Sequence, residues 1–345
     1  MSLLQAALQF ADLGFFNASL RSDLSAVDRT TLRKAGVSIA WITCVSGMLA
    51  ATVASITVSG VALLAVLAFV CALLVVGDKA RGSAAVHLGD EVRATRNNTS
   101  WQNSPKLGSI IGSFGHSALL TMAGAAVSAA LFSRPAFPNA IDLRWVRKTA
   151  RFWGPGLAVA ATAFIATWAE TYVLSISAPI ASVGQYQAVV RPLTGVTYLY
   201  LPVVSLIQAA SNSGRWSRAR KLTAAGISIG FTGSTLVGLA MFFFGRQIWP
   251  DFDFRTDVIV FAAVASFGMC ISALLGTHLL LLGKHVAAAT NSAIGAIALL
   301  VAAIVLVPSG GEVGAAVSSS LAWTIVVACH CFTLWRNQRK MKSEN

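Results

Sequence analysis

The chain has 345 residues, of which 56% are hydrophobic and only 11% charged, with a mean hydropathy of +0.70. Water-soluble chains carry about 25% charged residues, so this composition excludes a soluble globular protein and indicates a polytopic membrane protein. The formal charge of +13 would suit nucleic acid, but Lys and Arg cluster in short segments between apolar runs, as topology signals do, and no nucleic-acid partner is expected.

In chain order, the run 3–20 holds Gln5, Gln9 and Asp12 and lacks a basic start or a small-residue cleavage site, so it reads as part of a helix and not as a secretory signal. A crossing needs about 20 apolar residues. Further runs of that kind lie at 36–56, 58–77, 108–132, 152–176, 185–210, 222–244, 258–282, 286–307 and 313–335, making about ten transmembrane helices. Backbone in lipid must satisfy its own hydrogen bonds, and ten-residue alternation is absent, so the expected fold class is an all-α bundle and not a barrel. Cys44, Cys71, Cys270, Cys329 and Cys331 all fall inside these runs without metal spacing and read as small buried hydrophobes, so neither a metal nor a cofactor is expected.

Basic residues set the orientation. The tail after Trp335 carries Arg336, Arg339, Lys340 and Lys342 and is placed in the cytoplasm. Counting backward, 309–312 falls outside, 283–285 inside with Lys284, 245–257 outside, 211–221 inside with four bases, 177–184 outside and 133–151 inside with five. Counting forward, 21–34 with four bases and 78–107 with five should both lie inside. The two counts collide over 108–132, which as a helix reaches about 37 Å, enough for one crossing and too little for two. Either it is a hairpin broken near Gly115 or, as we favour, a single span beside a basic loop that defies the rule. The expected domains are an incomplete N-terminal lobe at 1–141, with about four spans and a polar cytoplasmic loop at 78–107, and a complete six-helix lobe at 142–345, a two-lobed transporter plan.

LQFADLGFFNASLR (8–21) resembles the end of the second helix in bacterial polysaccharide flippases of the multidrug/oligosaccharidyl-lipid/polysaccharide exporter superfamily. ETYVLSISAPIASVGQYQAVVRPLTGVTYLYLPVVSLIQ (170–208) resembles their seventh and eighth helices, with an acid, a turn, Gly-x-Tyr, Ala-x-x-Arg and a later Pro. VPSGGEVGAAVSSSLAWTIV (307–326) is similar to their last hairpin. The resemblance covers about the last 200 residues well and the first 80 loosely. Against the family pattern, the first helix is absent, Leu3 begins partway through the second, and one of the fifth and sixth is lost. The resemblance implies flipping of an undecaprenyl-diphosphate-linked oligosaccharide across the inner membrane for polysaccharide biosynthesis. Its implied partners are the lipid-linked oligosaccharide, membrane lipids and polysaccharide assembly proteins.

Asp12 and Glu170 are the only acids inside apolar runs, where a central charge costs about 2.5–3.5 kcal/mol on insertion scales. With a turn at 177–184, Glu170 and Arg191 each lie about 10 Å below it on neighbouring helices and can meet. Two readings stay open. In one, Arg191 attracts the lipid diphosphate through its planar fork while Glu170 takes up a proton or sodium ion. In the other, the pair merely ties two helices together, and a helix starting at Pro192 would leave Arg191 among headgroups. Arg21 and Asp12 are candidates for lining the same cavity as substrate and ion sites, and Pro202 is a candidate hinge. His116, His278 and His330 read as satisfied buried imidazoles, and the Gly-x-x-x-Gly pairs at 108–112 and 226–230 as packing.

No nucleophile–base pair, glycine-rich phosphate loop or metal cluster is present, so an enzyme is not expected. The rival readings are a drug or cation antiporter of the same superfamily, a truncated inactive remnant of a flippase, and an integral-membrane acyltransferase.

Overall fold

Apolar runs of this length hold their backbone in lipid only as helices, and the computed structural model bears this out. It describes residues 15–19, 24–54, 59–97, 99–100, 105, 118–140, 143–148, 150–248, 250 and 252–343, among which there are helices and no strand. In order these are α1 (Phe15–Ala18), α2 (Ala26–Ala54), α3 (Ser59–His87), α4 (Ala118–Phe132), α5 (Leu143–Lys148), α6 (Ala150–Ser177), α7 (Ile180–Gly195), α8 (Thr197–Asn212), α9 (Trp216–Ile248), α10 (Thr256–Leu281) and α11 (His285–Ser343). Five of them, α2, α3, α9, α10 and α11, are long and apolar enough to cross a membrane.

The helices depart from the apolar runs in instructive places. α3 continues ten residues past Gly77 into the stretch expected to be loop, winding through Gly82 without a proline to stop it, until Gly89 takes a φ of 70° just beyond its end. The single run at 185–210 is covered by α7 and α8, joined through Val196, whose φ of −57° and ψ of −27° stay in the helical region. α11 spans 59 residues, about 88 Å if straight. It is instead folded at Gly311, whose φ of 54° and ψ of −127° lie outside the helical region. Gly295 packs on Val326 and Asn291 bonds His330, pairs spaced evenly about that bend, so the two arms run antiparallel. Of the expected span 108–132, the described part is the uninterrupted helix α4; Gly115 and His116 lie outside the described residues.

The chain divides into two compact units, Met1–Ala160 with Gln208–Trp216, and Ala161–Ile207 with Ser217–Asn345. In the first, α2, α3 and α4 meet on small side chains, Ala40, Cys44, Ala68, Cys71, Ala72, Ala125 and Ala129. That is the expected chemistry where lipid removes the hydrophobic drive and backbones must approach closely. The segment after α4 lies across this bundle. Trp41 Nε1 donates to the Ala136 carbonyl (2.8 Å), Ser38 Oγ to the Asn139 carbonyl (2.7 Å), and a Cβ on Gly77 would strike the backbone of 134–136. In the second unit, Gly230 lies so close to Cys270 and Gly295 to Val326 that a methyl group at either would overlap its neighbour. Phe231, Leu236 and Phe243 point outward from α9, as side chains facing lipid do. Cys44, Cys71 and Cys270 are buried as expected, whereas Cys331 is exposed.

Candidate functional site

The site begins with a helix break. Ala178 precedes Pro179, and the residue before proline disfavours helix, so α6 stops at Ser177 and α7 starts at Ile180. The turn is therefore shorter than the expected 177–184. Glu170 and Tyr186 each lie eight residues from Ala178 and so face one another at the same depth. Arg191 is about 7 Å deeper along α7, a gap its long side chain can cover. α7 runs through Pro192 to Gly195, so Arg191 lies inside the helix, not at a helix start formed by Pro192.

These residues form one cluster within the second unit. Glu170 is 3% exposed and Tyr186 fully buried. The Arg191 guanidinium lies 4.9 Å from the centre of the Trp168 ring, within cation–π range, and its charge acts on the Glu170 carboxyl. One step along both helices, Gln187 Nε2 donates to Thr171 Oγ1 at 2.7 Å. Among the described residues, Glu170 Oε2, Tyr186 Oη and Gln187 Oε1 are buried without a hydrogen-bond partner, although the Glu170 and Tyr186 side chains are near enough to influence each other. Unmatched buried polar atoms cost about 1–3 kcal/mol each, and native folds keep few of them. Three on adjoining helix turns make a buried polar cluster with unused hydrogen-bonding capacity. It is held rigidly from behind: Leu174, Val189 and Leu193 are buried in an apolar core with Val258 and Ile259 of α10, and Ser266 Oγ donates to the Leu193 carbonyl at 2.8 Å.

The sequence pointed to Glu170 and Arg191, and the structure brings them together; Tyr186 entered only as the Tyr of the Gly-x-Tyr pattern, and Trp168 and the Gln187–Thr171 pair were missed. The equal spacing of Glu170 and Tyr186 about Ala178 was the available signal. Asp12 and Arg21 lie outside the described residues. Pro202 sits half-buried within α8. His278 shares a 2.7 Å hydrogen bond with Thr223 Oγ1, and His330 Nδ1 accepts from Asn291 Nδ2 at 3.0 Å, as satisfied imidazoles do. No group of three or more His, Cys, Asp or Glu suited to a metal occurs among the described residues.

No protein-family model matches the chain, and no curated protein matches its sequence. Solved structures do match its fold. An outward-facing multidrug resistance MATE family transporter of the MOP superfamily aligns at a TM-score of 0.56 and 12% identity, over 98% of this chain and 84% of its own. A MATE structure in the bent conformation aligns at 0.61 and 14%, over 98% and 86%. The lipid II flippase MurJ, in an inward closed conformation, aligns at 0.54 and 11%, over 96% and 78%. Identities this low show the fold alone: the chain has the all-helical fold of MOP-superfamily transporters.

Proposed function

We propose that the chain is a multi-pass transporter of the inner membrane, with its C-terminus in the cytoplasm, that flips an undecaprenyl-diphosphate-linked oligosaccharide for polysaccharide biosynthesis. The observation that carries this reading is the buried cluster of Glu170, Tyr186 and Arg191 on α6 and α7. A transporter must hold its substrate's charge away from water and release it again. Arg191 supplies a fixed cation for a diphosphate, and its planar guanidinium gives paired, charge-assisted bonds. Glu170 supplies a carboxyl whose loading with a proton or sodium ion changes how strongly Arg191 is neutralised. Loading Glu170 frees Arg191 for the diphosphate, and unloading it competes the substrate off. Arg21 and Asp12 would add a second base and acid from the N-terminal lobe at 1–141, and Pro202 would act as the hinge in the lobe at 142–345. The fold shared with the lipid II flippase supports a lipid-linked substrate.

A drug or cation antiporter is the second reading, favoured by the fold shared with MATE transporters and by the same buried carboxyl. The two differ in the role of Arg191, which a diphosphate needs and a cationic drug is repelled by. Arg191→Ala should abolish complementation of a flippase-deficient strain at normal protein level. Normal surface polysaccharide in that strain, or drug efflux by the wild-type chain that survives Arg191→Ala, would remove the flippase assignment.

A further inference from the structure

Away from that cluster, within the first unit, an open hollow of about 1090 Å³ lies beyond the apolar stretch of α3 and beside the end of α4. It is lined by four arginines, Arg81, Arg93, Arg96 and Arg134, against two aspartates, Asp78 and Asp90, leaving a surplus of two positive charges.

The two aspartates are already committed. Asp78 is buried; it bonds Arg81 at 2.5 Å and accepts from Ser100 Oγ at 2.8 Å. Arg81 also donates to the Arg134 carbonyl, and Ser100 to the Phe132 carbonyl at 3.1 Å, so this wall is a braced network across three segments of chain. Asp90 caps the helical stretch 91–97 through the Arg93 amide at 3.0 Å and pairs with the Arg93 side chain at 3.3 Å. The surplus therefore rests on Arg96 and Arg134, both exposed, whose guanidinium groups have no carboxylate partner among the described residues. Asn97 and Thr99 add an amide and a hydroxyl beside them. The rim is apolar where it meets the helix ends: Leu88 is 78% exposed and Phe132 62%.

We propose that this hollow binds a phosphate-bearing anion between Arg96 and Arg134. Guanidinium groups match phosphate oxygens in paired bonds, hydroxyl and amide groups fill the remaining acceptors, and the braced Asp78–Arg81–Ser100 wall keeps the pocket open. The phosphate comes either from the headgroup of an anionic lipid, whose chains would lie on Leu88 and Phe132, or from a soluble diphosphate. Neither Glu170 nor Arg191 takes part, so this site stands or falls independently of the transport reading.

The test uses the full chain purified in detergent, wild type and the double variant Arg96→Gln/Arg134→Gln, titrated with a short-chain phosphatidylglycerol, with phosphatidylcholine of the same chain length, and with inorganic diphosphate. Both positions are exposed, and thermal melting of the double variant checks that its fold is intact. The wild type should bind phosphatidylglycerol or diphosphate, and the variant should bind it about tenfold more weakly for each guanidinium removed. Competition separates the sources: diphosphate that displaces the lipid marks one shared phosphate site, and diphosphate binding without lipid binding marks a soluble ligand. Equal affinity of an intact variant and the wild type for both anions, or equal binding of phosphatidylcholine and phosphatidylglycerol with no diphosphate binding, would overturn the proposal. Should the double variant fail to fold, Thr99→Leu with Arg96→Gln is the second probe, with the same expectations.

Discussion

At the scale of single residues, Tyr186 makes the sharpest test, because stability and function predict opposite outcomes for it. Its hydroxyl is buried beside the Glu170 carboxyl without a hydrogen bond of normal geometry, so Tyr186→Phe removes a poorly matched polar group that contributes little to packing. Leaving such a group unmatched costs about 1–3 kcal/mol, and the variant should melt at the same temperature as the wild type or higher. Transport should nevertheless fall, since the phenol adjoins the Glu170 carboxyl. Parallel melting and complementation assays decide it; a variant that melts lower while transporting normally would make Tyr186 a packing residue. Glu170 and Arg191 were legible because charge inside an apolar run is conspicuous. Tyr186 entered only as the Tyr of the Gly-x-Tyr pattern and Trp168 not at all, because aromatic residues are ordinary in such runs and only the position of the turn at Pro179 reveals which of them adjoin the acid. The conformation on either side of Pro192 was also illegible, since a proline is compatible with both a helix start and a helix interior.

Among the elements, existence and type followed from hydropathy, and boundaries did not. The C-terminal arms at 286–307 and 313–335 were separated correctly, although the chain between them is almost continuously helical, because Ser309-Gly-Gly-Glu312 is a turn composition. The run at 185–210, read as one span, is α7 and α8 joined through Val196, which keeps helical angles, so the chain passes from one to the other without a reversal. The arms of α11 are locked by small-to-large contact, and Gly295→Leu should lower stability by about 1–3 kcal/mol, as overpacking does, read as an earlier thermal transition in detergent. Unchanged melting would mean that the arms can separate freely. Pro202 bears on motion within α8. With Pro202 as a hinge, Pro202→Ala keeps the wild-type melting temperature while slowing transport, and equal transport rates would make Pro202 a static part of α8.

For the whole molecule, charge and hydropathy announced a multi-pass helical protein, and the likeness to MOP-superfamily transporters covers nearly the entire chain. The number of crossings before α5 was not legible, because 78–107 and 133–151 are both basic and physical length allows only one helix between them. Reporter fusions at Asp90 and Asn139 resolve this. In the structure Ser100 bonds both Asp78 and the Phe132 carbonyl, and Arg81 bonds the Arg134 carbonyl, so the stretches before and after 108–132 meet at one end of the helices and the reporters should read the same side; reporters on opposite sides would contradict this arrangement.

The central claim is that charge buried between α6 and α7 moves a lipid diphosphate across the bilayer. The most direct measurement reconstitutes the chain in vesicles and follows inner-to-outer movement of a fluorescent polyprenyl-diphosphate sugar, with wild type, Glu170→Gln and Arg191→Ala compared at equal protein density. The account predicts movement by the wild type well above that in empty vesicles, loss of at least about tenfold with Arg191→Ala, as expected for removing a charge-assisted contact, and a rate for Glu170→Gln that no longer responds to a proton or sodium gradient. Wild-type movement equal to that in empty vesicles, or Arg191→Ala moving the lipid as fast as the wild type, would contradict it.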